Sequence, residues 1–221
     1  MKTLVIVPAY NEENNIVSVV EKIKALKYDY VVINDCSIDR TKEVVAEHDI
    51  NCINLQKNIG ISGVTVKGFE YARKHGYDCV VCVDGDGQHQ PMYVPDLEKA
   101  IEKGNDYAIG SRYVTEKKPY NPRMIGSRVL VFLIRLKTGR TINDPTSGMR
   151  AVGDTVIDEF LERTHFHAEP DGVCYLLRKG YKVKEVQVKM LERNDGRSYF
   201  IKPWNAIKFM FINITSILFM R

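Results

Sequence analysis

Short runs of aliphatic and β-branched residues alternate along this chain with segments whose apolar positions recur every three to four residues. Leu4–Val7, Tyr30–Asn34, Cys52–Leu55 and Cys79–Asp84 are each nearly continuously apolar, as strands covered on both faces should be. The first helix is predicted to start at Asn11 as N-cap, with Glu12 and Glu13 at its positive end. It carries Ile16, Val19, Val20, Ile23 and Leu26 in a core-facing stripe. Asp39–Glu47, Ser62–Lys74 and Val94–Glu102 fit helices in the same way. Four strands alternating with four helices predict an α/β fold, a Rossmann-like, mostly parallel sheet flanked by helices.

Beyond about residue 105 the pattern becomes mixed. Tyr107–Ile109 reads as a strand leading into Gly110-Ser111-Arg112. Ile125–Lys137 reads as a helix with Val129, Phe132, Leu133 and Leu136 on its apolar side. Asp144–Arg150 is expected to be a polar loop, Asp154–Glu162 a helix, Val173–Lys179 a helix closed by Gly180, and Lys182–Val188 a strand. A last helix, Pro203–Arg221, is opened by proline. Trp204, Ile207, Phe211, Ile214 and Leu218 make one stripe on it, while Phe209, Ile212, Ile217 and Phe219 spread apolar surface around it. Its unbroken apolar stretch falls short of the ~20 residues needed to span a bilayer. An amphipathic helix lying in a membrane interface or against protein is therefore expected. No repeat or linker divides the chain, which reads as one domain over residues 1–200 and a C-terminal helix over 201–221.

Composition adds three constraints. A hydrophobic fraction of 44% and a charged fraction of 27% exclude a disordered chain. From Arg178 onward there are ten Lys/Arg against three acids, whereas residues 1–177 carry 22 against 25. That basic bias attracts phosphate, on a ligand or a lipid surface. Cys79 and Cys82 flank Val80 and Val81 in a strand, so their odd separation sends them to opposite faces and suits neither zinc nor a redox disulfide. All five cysteines are expected to be reduced thiols of a cytosolic protein, and no signal peptide is expected before the first strand.

In open α/β sheets ligands bind beyond the carboxyl ends of the strands. There the chain places Pro8-Ala9-Tyr10-Asn11-Glu12, Asn34-Asp35-Cys36-Ser37 and Asp84-Gly85-Asp86-Gly87-Gln88. Two carboxylates two residues apart repel unless a cation or hydrogen-bond donors sit between them. Oxygen-only ligands suit Mg²⁺ or Mn²⁺, shared with substrate phosphates; Gln88 adds a neutral oxygen. Asp-Gly is also an ordinary turn dipeptide, but its place at the mouth of the sheet favours the metal. Asp35 can accept from a nucleobase or ribose, while Ser37 or Asp39 caps the following helix. Arg112, Arg123, Arg128 and Arg193 offer the paired donors that phosphate oxygens accept.

Pro8–Glu12, Asn34–Thr41, Asp84–Gln88, Gly110–Arg112 and Asp144–Arg150 occur in the order and spacing of glycosyltransferase family 2. Over roughly residues 1–200 the chain resembles that family on a GT-A fold, nearest the dolichyl- or polyprenyl-phosphate sugar transferases. The resemblance implies that Pro8, Tyr10, Glu12, Ile33 and Asp35 hold the nucleoside. Asp84, Asp86 and Gln88 would hold a Mg²⁺ or Mn²⁺ with the donor pyrophosphate, which Gly85, Arg112 and Arg123 also border. Ser127, Arg128, Glu169, Asp171, Arg193 and Arg197 would face the acceptor. Catalysis would rest on Asp86, Arg112, Arg123, Asp144 and Arg193. Relatives often read Glu-x-Glu where this chain has Glu169 and Asp171, and Gly-x-Ser-Lys where it has Gly196-Arg197-Ser198-Tyr199; there Arg197 or Lys202 would replace the lysine.

Such enzymes invert the anomeric carbon in one displacement. A sugar hydroxyl acceptor needs a carboxylate base, Asp144 or Glu169; a lipid phosphate is already anionic and needs only cationic guides. The arginines favour the lipid phosphate, with a UDP- or GDP-sugar as donor. The expected setting is the cytosolic face of a membrane, reached through the C-terminal helix and completed by a small membrane-protein partner or a homo-oligomer. Two other readings stand beside this one: a family 2 enzyme extending a glycan on a hydroxyl, and a silent nucleotide-sugar-binding protein. A dinucleotide dehydrogenase is excluded, since no G-x-G-x-x-G follows the first strand, and nothing points to nucleic acid.

Overall fold

The computed structural model describes residues 1–162, 170–191 and 203–219. Its strands are β1 (Thr3–Ala9), β2 (Asp29–Asn34), β3 (Cys52–Asn54), β4 (Cys79–Cys82), β5 (Tyr107–Ser111), β6 (Arg150–Gly153) and β7 (Val183–Gln187). They form one sheet in the order β3-β2-β1-β4-β6-β5-β7. Among the described strands only β6 runs antiparallel, between β4 and β5; the other pairings are parallel. The expected mostly parallel α/β sheet is therefore what forms.

The alternation along β1 builds two cores. Leu4 and Ile6 enter the core on one face, and Val5, Val7 and Ala9 the core on the other. Each fully buried Leu, Ile or Val here contributes roughly 1.5–3 kcal/mol. The second core is closed by α1 (Ile16–Ala25), α2 (Thr41–Glu47) and α4 (Val94–Glu102). The first is closed by α3 (Gly60–Lys74), α5 (Pro122–Thr138), α6 (Asp154–Glu162), α7 (Pro170–Arg178) and α8 (Pro203–Phe219). Cys82 lies in the first core and Cys79 in the second, as their spacing requires. Burial pushes both thiols up to about 12; the five cysteines are free.

Several elements differ from the expectation, each for a local reason. β1 runs through Pro8 because the missing N–H faces the side where the β4 ladder has ended; only the Pro8 carbonyl is used there, by the Gly85 N–H at 3.0 Å. Asn11 does not cap α1. It has φ of 59° and turns the chain off the strand end, so α1 starts at Ile16. β6 was not anticipated: Arg150-Ala151-Val152-Gly153 is buried throughout and too short to show alternation.

The outermost helices bury faces other than those their apolar stripes indicate. On α5, Leu130, Leu133 and Ile134 face the core, whereas Val129, Phe132 and Leu136 are exposed together with Ile125. On α8, Ile217 and Asn213 are buried, whereas Trp204 (74% exposed), Ile207, Phe211 and Leu218 face outward. α8 packs against α5 and α7. Its anchor is polar: Asn213 Oδ1 accepts the Asp171 N–H at 3.3 Å, and Ser216 Oγ donates to Asp171 Oδ2 at 2.9 Å. Asp171 Oδ1 accepts the Gly172 N–H, so both oxygens of this residue, expected to face the acceptor, are engaged within the protein. Lys137 Nζ holds the Leu218 carbonyl at the far end of α8. No described helix is long and apolar enough to cross a membrane.

Asp171→Ala removes the acceptor that Ser216 uses and should weaken α8 docking by about 1–3 kcal/mol. In the variant, amide hydrogen exchange along α8 should accelerate relative to that of β1 by the corresponding factor, whereas unchanged exchange along α8 would show that Asp171 does not anchor it.

Candidate active site

Because β6 opposes its neighbours, the carboxyl ends of β1, β2, β4 and β5 share one sheet edge with the beginning of β6. Five of the predicted motifs meet there.

The β1 and β2 ends form a crevice laced by hydrogen bonds. The Asn11 N–H donates to Ser37 Oγ, and Asn11 Oδ1 accepts from the Ile38 N–H, both at 2.9 Å. The Glu12 N–H donates to Thr41 Oγ1 at 2.9 Å. Asp39 Oδ1 accepts the Thr41 N–H two residues on at 2.9 Å, but Arg40 holds the N-cap position of α2 without a side-chain cap, so neither Ser37 nor Asp39 is the N-cap that was expected. Cys36, like Asn11, has a left-handed φ, of 58°; such backbone strain gathers at functional sites. Tyr10 is exposed on the rim and Glu12 is buried. Ile33 is wholly buried, so it supports the crevice from beneath. Asp35 lies too early to cap its own helix, yet it caps another: its two oxygens accept the Ile59 and Gly60 N–H groups at 2.7 and 2.9 Å, at the start of α3. The crevice wall is thereby tied to α3.

The acidic tip of β4 sits at the centre of the edge. Gly85 is required by close approach, since a Cβ there would lie 2.9 Å from the Pro8 carbonyl oxygen. The Asp84 N–H donates to Nδ1 of the buried His89 at 3.0 Å, so the ring carries its proton on Nε2. Asp86 Oδ1 accepts the Gln88 N–H at 3.0 Å, closing the turn. Gln88 Nε2 donates to the Leu191 carbonyl, and the Leu191 N–H to the Gln88 carbonyl. This zips residues 189–191 onto the tip. Gly148 faces the pair from across the edge: a Cβ there would lie 3.2 Å from Asp84 Oδ2 and 3.1 Å from His89 Cε1. Among the described residues no group of three or more His, Cys, Asp or Glu could hold a metal unaided. The donor set of Asp84, Asp86 and Gln88 Oε1, with Gly148 lying close against Asp84, fits a hard cation that completes its shell with phosphate and water.

The third part is cationic. Arg112, just past β5, grips Asp144 with Nε to Oδ2 at 2.7 Å and Nη2 to Oδ1 at 2.8 Å, and its N–H donates to Oδ2 at 3.1 Å. Burial alone would lower Arg112 and raise Asp144. Their pairing outweighs it, so Arg112 is raised and Asp144 is held below the usual carboxylate range. Glu185 on β7 accepts the Asn143 and Asp144 N–H groups, both at 2.8 Å. The buried Arg150 guanidinium donates to the Ser147 and Pro145 carbonyls and to the Tyr107 hydroxyl, which shapes the loop that carries Asp144 and Gly148.

α5 begins with Asn121 accepting the Met124 N–H, followed by Pro122, and ends at Gly139 with φ of 70°. It presents Ser127 and Arg128. Ser127 is buried and accepts from Lys118 Nζ at 2.8 Å. Arg128 donates to the Lys118 and Pro119 carbonyls and covers the Tyr120 ring. Burial lowers Lys118, and Arg128 and Arg112 lower it further, against the opposing pull of Asp144 and Glu185. Of the expected site residues, Glu169, Arg193 and Arg197 lie outside the described residues, as does the Arg123 side chain. Three residues at this edge were not anticipated. His89 and Lys118 belong to no period, and only their nearness to Gln88 and to Arg112 marks them. Arg150 reads simply as the end of a motif.

A profile described as Glycosyl transferase family 2 matches residues 4–161. The chain is 36% identical to a dolichol-phosphate mannosyltransferase of Pyrococcus furiosus over 171 residues, 72% of this chain and 48% of that one, and so spans about half of that relative. It is 30% identical to a polyprenol monophosphomannose synthase of Mycolicibacterium smegmatis over 216 residues, 89% of this chain and 80% of that one. Among solved structures, glucosyl-3-phosphoglycerate synthase from Mycobacterium tuberculosis, in complex with Mn²⁺, UDP-glucose and phosphoglyceric acid, aligns with a TM-score of 0.72. The alignment covers 98% of this chain and 79% of that one at 16% identity, a likeness of fold.

The lowered Asp144 carboxyl contributes its full stabilisation above the ordinary carboxylate value near 4, and loses it only as the pH falls through the lowered value. Asp144→Asn should therefore destabilise the protein by about 3 kcal/mol, with an offset in thermal midpoint that stays flat from about pH 5 to 8. An offset that vanishes within that window would show that the pair is not ionised as described.

Proposed function

We propose that this chain, which belongs to glycosyl transferase family 2 and is a glycosyltransferase, moves a sugar from a UDP- or GDP-sugar to a polyprenyl phosphate, inverting the anomeric carbon. The observation that carries the reading is the loop 144–149. At one end its Asp144 holds Arg112 beside Ser127 and Lys118, and at the other its Gly148 faces the Asp84 carboxylate. A carboxylate pair suited to a diphosphate-bound cation is thus linked to a cation-rich pocket suited to a second phosphate. Relatives named for transfer to dolichol phosphate and polyprenol support the acceptor class.

Asp84, Asp86 and Gln88 would hold a Mg²⁺ or Mn²⁺, which when bound supplies positive charge to the departing nucleoside diphosphate. The protein's own residues do the rest. Tyr10, Glu12 and the Asp35 wall receive the nucleoside, and Arg112, its fork set by Asp144, directs N–H groups at phosphate oxygens. A monoester phosphate with a second pKa of roughly 6 attacks as an anion and needs no base. That suits this site: Asp144, a candidate base for a hydroxyl acceptor, is committed to Arg112, and its lowered basicity makes it a poor proton acceptor. Asp144 is accordingly a positioning residue.

Residues 201–221 and α5 are the parts that meet the membrane, at its cytosolic face. The outward residues Trp204, Ile207 and Phe211 of α8 and Phe132 and Leu136 of α5 are large and apolar, suited to an interfacial position.

Purified protein with Mn²⁺ and a panel of nucleotide-sugars should glycosylate a polyprenyl phosphate, and Asp86→Ala should abolish transfer with its circular dichroism unchanged. Transfer only to soluble sugars would overturn the acceptor assignment, and an active Asp86→Ala the metal assignment. Trp204→Lys with Phe211→Lys should release the protein from sedimenting phospholipid vesicles, although each adds a positive charge; unchanged sedimentation would remove α8 from the membrane.

A further inference from the structure

We propose that Lys118 is an acceptor-binding residue, its ammonium and the Ser127 hydroxyl together forming a clamp for the phosphate that receives the sugar. The inference rests on the lipid-phosphate reading of the site and adds to it a residue that no motif contains.

The geometry begins with Ser127. Its Oγ is buried and accepts from Lys118 Nζ at 2.8 Å, so the hydroxyl keeps its own proton to donate. No described residue accepts that proton. Lys118 is half-buried, its Nζ lies 5.1 Å from the centre of the Tyr113 ring, and no described carboxylate is within ion-pair distance of it. Nearby charges do not balance it. Arg112 already gives its Nε and Nη2 to Asp144, and Arg128 is turned onto neutral carbonyls and the Tyr120 ring. Three cations therefore face two carboxylates, Asp144 and Glu185, neither within ion-pair distance of Lys118, and one positive charge is in excess among the described residues. Partly desolvated cations without a counter-charge are costly, and a phosphate dianion has the charge and the acceptor oxygens to relieve that cost.

The same accounting describes the transfer step. A lone pair on an acceptor phosphate oxygen forms the bond to the anomeric carbon, and the bond from that carbon to the donor diphosphate breaks, its electron pair leaving with the diphosphate. No proton moves. The acceptor arrives as a dianionic monoester and leaves as a monoanionic diester, so the Lys118 ammonium attracts the substrate more strongly than the product. Lys118 thus favours monoester capture and diester release.

The test uses the full chain, the donor found active with it, and a short-chain polyprenyl phosphate in detergent. Lys118→Met should raise the acceptor KM at least about tenfold, as expected for loss of a charge-assisted hydrogen bond. Donor KM should change by less than about twofold on the same scale, and Lys118→Arg should restore most of the acceptor affinity. An acceptor KM unchanged in Lys118→Met, or donor and acceptor KM rising together, overturns the clamp. If the parent transfers nothing to the lipid phosphate, the proposed function fails first, and the clamp is then read by calorimetry with inorganic phosphate. Binding to the parent that is lost in Lys118→Met upholds an anion site, whereas equal binding or none in both removes it.

Discussion

The pairing of Arg112 with Asp144 is the contact on which the rest of the site depends. Asp144 has no exposed surface, and a buried carboxylate is tolerated only with its charge and lone pairs satisfied. Three N–H groups of Arg112 do this, two from the guanidinium and one from the backbone. The bond fixes the strand end after β5 against the loop before β6, and Glu185 ties that loop to β7 through its backbone. Arg150 then shapes the loop from inside. Everything else in the cationic half is arranged around a guanidinium that cannot swing away.

The acidic half is organised by close approach. Two glycines, Gly85 and Gly148, let the tip of β4 lie against the Pro8 carbonyl on one side and the loop on the other. His89 holds the backbone at Asp84 through Nδ1. The carboxylates are thus placed by contacts within the protein, which set their geometry before anything binds.

The half of the edge built from β1, β2 and β4 was legible in the sequence because those segments read as nearly continuous apolar runs followed directly by polar and acidic residues. β1, β2 and β4 needed only their apolar runs to be found, and the strand-end rule then selected Asp35, Asp84 and Asp86. The other half was less legible. β6 is four buried residues with no period to detect, and contacts such as Lys118 with Ser127 join a loop to a helix nine positions away. Helical periodicity located α5 and α8 but not their orientation, because both are apolar on more than one side; Val129 and Phe132 carry the same signal as Leu130 and Leu133, and only packing separates them. The role of Asp35 was half visible: its position marked it as more than a local cap, but its partners lie 24 and 25 residues on, at the start of α3.

The reversed strand has a geometric consequence of its own. In a wholly parallel sheet each exit loop at the working edge is separated from the next by a crossover that passes behind the sheet. Turning β6 around sets the way out of β5 and the way into β6 side by side, so two loops crowd the same stretch of rim. Segments more than thirty residues apart along the chain thereby meet on one short length of rim, as the Arg112 and Asp144 side chains do.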